Sequence, residues 1–328
     1  MIVRWGLDAY PALVAELGIE RPLVVTTKRW SEGNSLLLSP VGAVFDGVRR
    51  HVPAETVEAA AGAARGHDGL VGLGGGSAID TAKAASARTR LPVVSVPTTY
   101  SGAEWTSGFG VRDEERGVKA GGSGACLAGI VYEPELTLSL PRAETGGTAL
   151  NALAHCAEAL YVDGRNDEAD RAALAGAARI VRALPAVLAD GDDREARRLL
   201  LEGAMHAGAA LAGAGLGLAH AMAQALGGRF GIPHGAANAL CLPPALRFNE
   251  PVAGEALARL ASALETDEAA DRSEALARLA GFRRLRDLGV PEGELEAVAE
   301  AAVLRAGARA NPRPASPADV LALLRSVW

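Results

Sequence analysis

The sequence LVGLGGGSAIDTAK, residues 70–83, predicts a buried β-strand, a tight glycine turn and the first turns of a helix. Gly74, Gly75 and Gly76 allow the backbone to approach a phosphate closely, and Ser77 can cap the helix. Amide N–H groups and the positive end of the helix dipole favour a bound pyrophosphate. The pattern is neither the GxGxxG fingerprint nor a Walker loop. Because it directly follows an apolar strand, we expect a nucleotide site there, with an ordinary structural turn as the alternative.

The segments around this turn continue the alternation of strand and helix. Apolar runs predict strands at residues 23–26 and 43–45, and buried parallel strands at residues 70–73 and 93–96. Helical composition predicts helices at residues 54–65 and 77–89. This rhythm of βαβ units predicts an α/β fold with a doubly wound parallel sheet, an architecture that binds dinucleotides.

Beyond Pro141 the strand signal disappears and segments rich in Ala, Leu, Arg and Glu follow. They predict helices at residues 167–188, 193–212, 250–264, 272–288, 292–306 and 317–327. The length of 328 residues also favours two domains. We predict an α/β dinucleotide-binding domain over residues 1–143, an all-helical catalytic domain over residues 144–328, and a catalytic cleft between them.

Composition narrows the class of protein. The net charge is −6 and no basic stripe is present, so nucleic acid is not an expected partner. Residues 204–226 are apolar, but they include two histidines and several glycines, which favours buried helices over a membrane span. The three cysteines form no CxxC pair, and the first residues lack the apolar region of a signal peptide. We therefore expect a cytoplasmic protein without a membrane partner.

Two further loops support a dinucleotide. Thr98, Thr99 and Ser101 follow the strand at residues 93–96 and supply hydroxyls at the carboxyl end of the sheet. Thr27 and Lys28 follow the first strand, where an acidic residue would hold a ribose 2′-hydroxyl and repel a 2′-phosphate. With a hydroxyl and a cation at this place, we expect NADP(H) or NAD(H) as the cofactor. Solvated surface side chains are the alternative for Lys28.

Four polar residues are prominent in the apolar second half, namely Asn151, His155, His220 and His234. Asn151 and His155 are four residues apart, so on a helix they share one face. His220 begins an Ala-rich helical stretch, and His234 lies in the sequence GIPHG, residues 231–235. The pattern predicts a metal centre or a proton-transfer centre, in which Asn151 provides an amide where a carboxylate would be expected. Histidines held by hydrogen bonds in the core are the alternative.

Together these motifs resemble the iron-containing alcohol dehydrogenase superfamily, and within it the maleylacetate reductase branch. The resemblance runs from about residue 20 to residue 245. The matching segments, in chain order, are GGGS with Asp80 and Lys83, PTTYSGAE at 97–104, Lys119, Gly146, NALAHCAEALY at 151–161, HAMAQALGG at 220–228 and PHG at 233–235. The resemblance implies an NAD(P)H-dependent reductase, with Asp80 at the cofactor and Lys119 at the cofactor ribose.

In metal-dependent members of this superfamily, an Asp and three His hold a divalent cation, and this pattern carries over onto Asn151, His155, His220 and His234. The amide oxygen of Asn151 is a poorer ligand for Fe²⁺ or Zn²⁺ than a carboxylate. The site could therefore bind iron or zinc weakly, or catalysis could proceed without a metal. The resemblance to the reductase branch favours metal-free catalysis. Without a metal, any of the three histidines could donate the proton. Gln224 replaces a histidine that relays protons in many relatives, so the relay should differ here.

The sequence motifs say less about the substrate than about the cofactor. We expect a small carbonyl compound or a keto acid such as maleylacetate, and Arg229 as the clamp for its carboxylate, with a surface role as the alternative. A lyase or cyclase related to dehydroquinate synthase is a second interpretation. A degenerate cofactor-binding protein is a third, because Asn151 and Gln224 both remove ionisable groups. By resemblance we also expect a homodimer.

Overall fold

The computed structural model describes residues 1–32, 38–113 and 118–328, and within these the side chains of Asp113 and residues 118–120 are left undescribed. The chain forms two compact units. The first comprises residues 1–99 and 103–139, and the second comprises residues 100–102 and 140–328.

The first unit is built on a parallel sheet. Its elements, in chain order, are β1 (Ile2–Trp5), α1 (Tyr10–Glu16), β2 (Pro22–Val25), α2 (Lys28–Ser31), β3 (Ala43–Phe45), α3 (Ala54–Ala63), β4 (Gly69–Gly74), α4 (Gly76–Thr89), β5 (Pro92–Pro97), β6 (Phe109–Asp113), β7 (Val118–Gly122) and β8 (Cys126–Tyr132). Six strands take the order β1-β8-β5-β4-β2-β3, and β6 pairs with β7 as a separate antiparallel hairpin. The sheet confirms the predicted fold class.

The strand order reverses direction between β2 and β4. From β2 the chain moves outward to β3, and from β4 it moves the other way to β5. In doubly wound sheets ligands bind outside the carboxyl ends of the strands at such a reversal. Gly74 ends β4 and Thr26 follows β2, and the Thr26 hydroxyl donates to the Leu73 carbonyl at 2.8 Å. The predicted nucleotide loop is therefore at the switch point of the sheet.

Apolar side chains cover both faces of this sheet. Val24, Val71 and Val94 point to one face and pack with residues of α1. Their preceding neighbours in the three strands point to the other face, where they pack against small residues of α3 and α4. Burial on both faces explains why these strands are almost continuous hydrophobic runs. Strand β3, which confirms the strand predicted at residues 43–45, is less buried, because it is at the sheet edge and Val44 is 40% exposed.

The buried side chain of Lys83 connects helix α4, which follows the glycine turn, to the segment after β5. Lys83 of α4 is only 1% exposed, and its Nζ forms an ion pair with Asp80 at 3.0 Å. The same Nζ donates to the carbonyls of Ala103 at 2.6 Å and Thr106 at 3.2 Å, and to that of Gly108. A buried charge needs such partners to offset its lost hydration. The segment after β5 is thereby fixed to α4.

The second unit is helical in every described element. The α-helices are α5 (Arg142–Ala159), α6 (Asp167–Ala189), α7 (Arg194–Ala214), α8 (Leu218–Phe230), α9 (His234–Ala263), α10 (Ala269–Leu279), α11 (Leu295–Val303), α12 (Ala306–Arg309) and α13 (Pro317–Ser326), and short 3₁₀ helices at Leu285–Leu288 and Glu292–Glu294 lie between α10 and α11. Helix α5 is central and packs against α6, α7 and α9. Buried small residues such as Gly147, Ala152 and Ala157 let its neighbours approach closely.

Several predicted helix bounds in this unit are wrong, each for a local reason. The helix predicted at residues 250–264 is present as the part of α9 after the bend at Ala253 (φ −126°), so only its start differs, because α9 continues into it from His234. The helix predicted at 272–288 ends at Leu279, before Gly281 with φ +97°, a conformation that suits glycine. The helix predicted at 292–306 is divided into α11 and α12, with the break at Leu304 and Arg305.

Helix α6 is long and apolar enough, by length and a mean hydropathy of 1.5, to cross a membrane. Helices α7 and α8 would satisfy the same test only as a pair, and they are bent by 100° at their junction. Half of the apolar window of α6 is buried, and the helix packs against α5 and α7. Asn166 caps it and three acidic residues occupy its first turn. We interpret α6 as a core helix of the second unit.

Candidate active site

The glycine turn leaves no room for side chains. Gly74 has φ +142°, and a Cβ placed there would be 2.9 Å from the Cβ of Ala78. A Cβ on Gly75 would be 2.9 Å from Cγ2 of Thr99. Helix α4 begins at Gly76, and its N-cap is Gly75, which has no side chain; Ser77 is the second residue of the helix, so the prediction that Ser77 caps this helix is wrong. Its first amides therefore depend on solvent or on a bound anion, which suits a pyrophosphate.

The hydroxyls around the turn fit the same ligand. The Thr98 amide donates to the Gly74 carbonyl at 3.0 Å, which fixes the following loop to the turn. The Thr99 Oγ1 is buried without a hydrogen-bond partner among the described residues. Thr27 is the N-cap of α2, and Lys28 is exposed beside it. An unsatisfied buried hydroxyl beside a close-approach glycine turn fits a dinucleotide phosphate or ribose.

Two other predicted cofactor residues have different surroundings. Both carboxylate oxygens of Asp80 are engaged, one with Lys83 and the other with the Gly110 amide at 3.1 Å. Asp80 therefore holds the start of the β6–β7 hairpin in the structure, and a direct role toward the cofactor stays a prediction. Lys119 is opposite Arg112 in that hairpin, and its side chain lies outside the described residues.

Three helices of the second unit bring the predicted histidines together. His155 is on α5, His220 is on α8, and His234 is the first residue of α9. The rings of His155 and His220 are stacked, with centroids 4.6 Å apart and planes inclined by 13°. The His220 and His234 centroids are 5.7 Å apart at 53°. His155 and His220 are at most 4% exposed, and His234 is half-buried.

A buried carboxylate orients the middle histidine. Glu158 is fully buried, and its Oε2 accepts hydrogen bonds from His220 Nδ1 at 2.6 Å and from the Gly217 amide at 2.8 Å. The His220 amide donates to the other carboxylate oxygen at 3.2 Å. The Nδ1 proton is therefore directed at Glu158, and the opposite nitrogen, Nε2, is buried with no hydrogen-bond partner in the described part of the chain. Sequence reasoning missed Glu158, although it follows His155 by three residues on the same helix face.

A second missed residue, Asn238, bridges two predicted site residues. It is one turn after His234 on α9 and is fully buried. Its amide nitrogen donates to Asn151 Oδ1 at 2.7 Å and lies 3.1 Å from His234 Nε2. The Asn151 amide nitrogen donates to the Ser101 carbonyl at 3.1 Å and lies 3.5 Å from His155 Nε2. The cluster is therefore a network of neutral amides and imidazoles around one carboxylate.

Electrostatics keep His155 neutral. Burial is the largest cause that holds its pKa well below the ordinary value of 6.5, and the neighbouring imidazoles of His220 and His234 lower that pKa further. Its Nδ1 is buried without a hydrogen-bond partner among the residues described. A neutral imidazole can accept or donate one hydrogen bond, but it does not supply a positive charge at neutral pH.

The same geometry decides whether a divalent metal fits. Ring nitrogens project in the plane of the ring, so the nearly parallel rings of His155 and His220 do not converge on one ion. The Asn151 oxygen and His234 Nε2 already face the Asn238 amide. No group of three His, Cys, Asp or Glu within residues 1–32, 38–113 and 118–328 is arranged to hold a metal. As placed, these side chains do not fit the tetrahedral or octahedral shell that zinc or iron requires.

Arg229 is not where the predicted anion clamp requires it. Arg229 follows His220 by nine positions, and at about 100° per residue the two side chains are on opposite faces of α8. Arg229 is 46% exposed, and its Nε donates to Glu294 at 2.7 Å. Gln224 does share the His220 face, and its Oε1 lies 3.5 Å from Nη1 of Arg305. The clamp prediction failed because order in the sequence was taken for position in space.

Comparison with known proteins agrees with both units. The iron-containing alcohol dehydrogenase model matches residues 4–129, and the C-terminal model of the Fe-containing alcohol dehydrogenase family matches residues 145–328. The chain is 36% identical to the maleylacetate reductase of Pseudomonas knackmussii over 332 aligned residues, which cover 98% of this chain and 93% of that protein.

Solved structures give the same result. The maleylacetate reductase of Rhizobium sp. strain MTP-10005 superposes with a TM-score of 0.91 at 33% identity, covering 100% of this chain and 95% of that one. An iron-containing alcohol dehydrogenase of Corynebacterium glutamicum superposes with a TM-score of 0.92 at 32% identity, covering 100% and 94%.

Fold, cofactor loop and homology together define an NAD(P)H-dependent reductase. More narrowly, the chain belongs to the iron-containing alcohol dehydrogenase family, in its maleylacetate reductase-like branch. The interpretation as a lyase or cyclase related to dehydroquinate synthase is not favoured by these relationships.

Proposed function

We propose that this reductase acts on the carbonyl group of a small keto acid, with maleylacetate as the leading candidate. The observation that supports it most is the Glu158–His220 pair, which leaves one buried imidazole nitrogen free to meet a substrate oxygen. The relatives named maleylacetate reductase supply the candidate substrate. NAD(H) and NADP(H) are both proposed, because Thr27 and Lys28 carry no charge that would repel a 2′-phosphate.

The proton step can be assigned by hydrogen bonding. When bound, the dihydronicotinamide supplies a hydride to the carbonyl carbon. The carbonyl oxygen gains negative charge as this happens, so a proton donor must be nearby. Glu158 accepts from His220 Nδ1 and stabilises the imidazolium form, as the carboxylate of a Ser-His-Asp triad does for its histidine. His220 Nε2 is then the proton donor.

The other two histidines have different roles in this proposal. His155 is neutral because of its lowered pKa, and it stacks on the His220 ring. His234 directs Nε2 at the Asn238 amide, so this nitrogen acts as an acceptor. In this proposal His155 and His234 donate no proton; they pack around His220 and provide neutral polar groups beside it. Asn151, fixed by Asn238, contributes a neutral amide in the same place.

Cofactor oxidation tests the function directly. Purified protein is mixed with NADH or NADPH and with maleylacetate, other keto acids or uncharged aldehydes, and the absorbance of the reduced cofactor is followed. Stoichiometric oxidation is expected with maleylacetate. Folded protein that binds cofactor but oxidises none would refute the proposal and support a degenerate binding protein. Substrate conversion without net cofactor oxidation would instead indicate cyclase-type chemistry.

We also propose that catalysis requires no bound metal, because the rings of His155 and His220 are nearly parallel and because the Asn238 amide already engages Asn151 Oδ1 and His234 Nε2. Metal content is measured by elemental analysis, and activity is measured before and after dialysis against a chelator. Substoichiometric metal and unchanged activity are expected. Loss of activity on chelation that a single metal ion restores would overturn this part of the proposal.

A homodimer is the proposed assembly. Strand β1 occupies one end of the sheet order and pairs with β8, so its other edge presents backbone groups that a second strand could bond. Light scattering coupled to size-exclusion chromatography measures the mass in solution. A mass of one chain at all concentrations would contradict the proposal.

A further inference from the structure

Arg305 is a half-buried cation with an incomplete set of partners. Its Nη1 is 3.5 Å from Gln224 Oε1, which is a long hydrogen bond, and its Nε is buried without a partner among the described residues. Burial lowers the pKa of this guanidinium, and no carboxylate of the described residues opposes that shift. Arg229, by contrast, is exposed and paired with Glu294. A partly desolvated cation without an anion is costly, so an anion that completed its shell would bind favourably.

The position of this cation relates it to the proton donor. Gln224 follows His220 by four residues, so both project from one face of α8, about one 5.4 Å turn apart. Arg305 immediately precedes α12, and α12 packs on α8. The guanidinium of Arg305 therefore lies beside Gln224, on the face of α8 that also carries His220. This arrangement suits a substrate whose carboxylate is a few bonds from its carbonyl group.

We propose that Arg305 and Gln224 bind the substrate carboxylate and set the preference of the enzyme for keto acids over uncharged carbonyl compounds. The inference rests on the proposed reductase function. The guanidinium offers parallel N–H donors that match a carboxylate. The Gln224 oxygen orients Arg305, and its NH₂ group remains able to donate to the same anion. Gln224 thus gains a role in recognition in place of the proton relay.

The test separates binding from chemistry. Arg305→Met removes the cation and keeps an unbranched side chain, Arg305→Lys keeps the charge, and Arg229→Met is the matched control from the surface of α8. For Arg305→Met we expect KM for maleylacetate to rise about 10- to 100-fold, as for a lost charged hydrogen bond, with a smaller change in kcat. The Kd of succinate, an unreactive dicarboxylate measured by calorimetry, should rise similarly. Turnover of an uncharged aldehyde should stay within about twofold.

Arg305→Lys should fall between Arg305→Met and the wild-type protein, and Arg229→Met should match the wild type. Equal losses with keto acids and aldehydes would indicate a structural role and overturn the proposal. An unchanged KM for Arg305→Met, or no succinate binding by the wild type, would also overturn it. Failure of the reductase function would appear differently, as wild-type protein that oxidises no cofactor with any keto acid while the succinate measurements still report on Arg305.

Discussion

The glycine turn of the first unit and the imidazole cluster of the second are built from different parts of the chain. The turn consists of consecutive residues, 74–77, and uses backbone amides at the start of α4. The cluster uses side chains from three helices, and the hydrogen bond from Asn238 to Asn151 spans 87 residues. The turn should therefore be sensitive to any added side-chain atom, whereas the cluster should be sensitive to the chemical identity of each group. Substitutions in each region can test this contrast.

The largest effect is expected at His220. His220→Asn removes the ring that Glu158 orients, so we expect kcat to fall by about 10²- to 10⁴-fold, the usual contribution of a general acid. The Kd of NADH or NADPH, measured by fluorescence titration, should stay within about threefold, because the cofactor loop belongs to the other unit. A fall in kcat of less than tenfold would remove His220 from the proton step.

Glu158→Gln provides the companion variant. The amide keeps one oxygen, so it can accept from only one of the Gly217 and His220 backbone amides, which now donate to different carboxylate oxygens, and it cannot stabilise an imidazolium ring as a carboxylate does. The loss in kcat should be smaller than for His220→Asn, and the pH profile of kcat should change in shape. A uniform loss at every pH would indicate that Glu158 only supports the fold.

A substitution at Gly74 should affect cofactor binding more than kcat, which is the opposite of the result expected at His220. Gly74→Ala adds a Cβ at a φ of +142° and at 2.9 Å from the Cβ of Ala78, so the turn must shift. Backbone strain of this kind costs about 1–3 kcal/mol, and we expect cofactor Kd to rise on the order of 10- to 100-fold. The kcat at saturating cofactor should change much less. Gly62→Ala is the matched control, because a Cβ on Gly62 meets nothing within 4 Å.

This contrast also explains how much was predictable from sequence. The glycine turn and its strand were predictable because their residues are consecutive, and the fold class followed from the buried runs such as β4 and β5. The three histidines were found by residue type and spacing. Glu158 and Asn238 were missed because a buried partner is defined by contacts across helices. Arg229 was misassigned for the same reason, since nothing in residue order shows which face of α8 it occupies.

Asn238 tests whether the cluster depends on residues that sequence did not reveal. Asn238→Leu keeps the same branched side-chain shape but removes the donor to Asn151 and His234. Unsatisfied buried acceptors cost about 1–3 kcal/mol, so we expect kcat to fall about tenfold with little change in cofactor Kd. Asn249→Leu is a useful comparison, because Asn249 is equally buried on α9 but pairs with Asn311. Equal kcat losses in both variants would mean that Asn238 acts only through stability.

The smallest effect concerns stability against pH. The pKa of His155 is lowered in the folded state, so between that value and about 6.5 the unfolded chain binds one more proton at this residue. The contribution of the neutral His155 ring to the free energy of unfolding is complete above pH 6.5. It is lost as the pH falls below 6.5, with a slope of at most about 1.4 kcal/mol per pH unit. Urea unfolding from pH 8 to 5 should therefore show a steeper decline for the wild type than for His155→Gln. Parallel curves would mean that His155 takes up its proton equally well in the folded protein, and the neutral imidazole assigned to the cluster would be wrong.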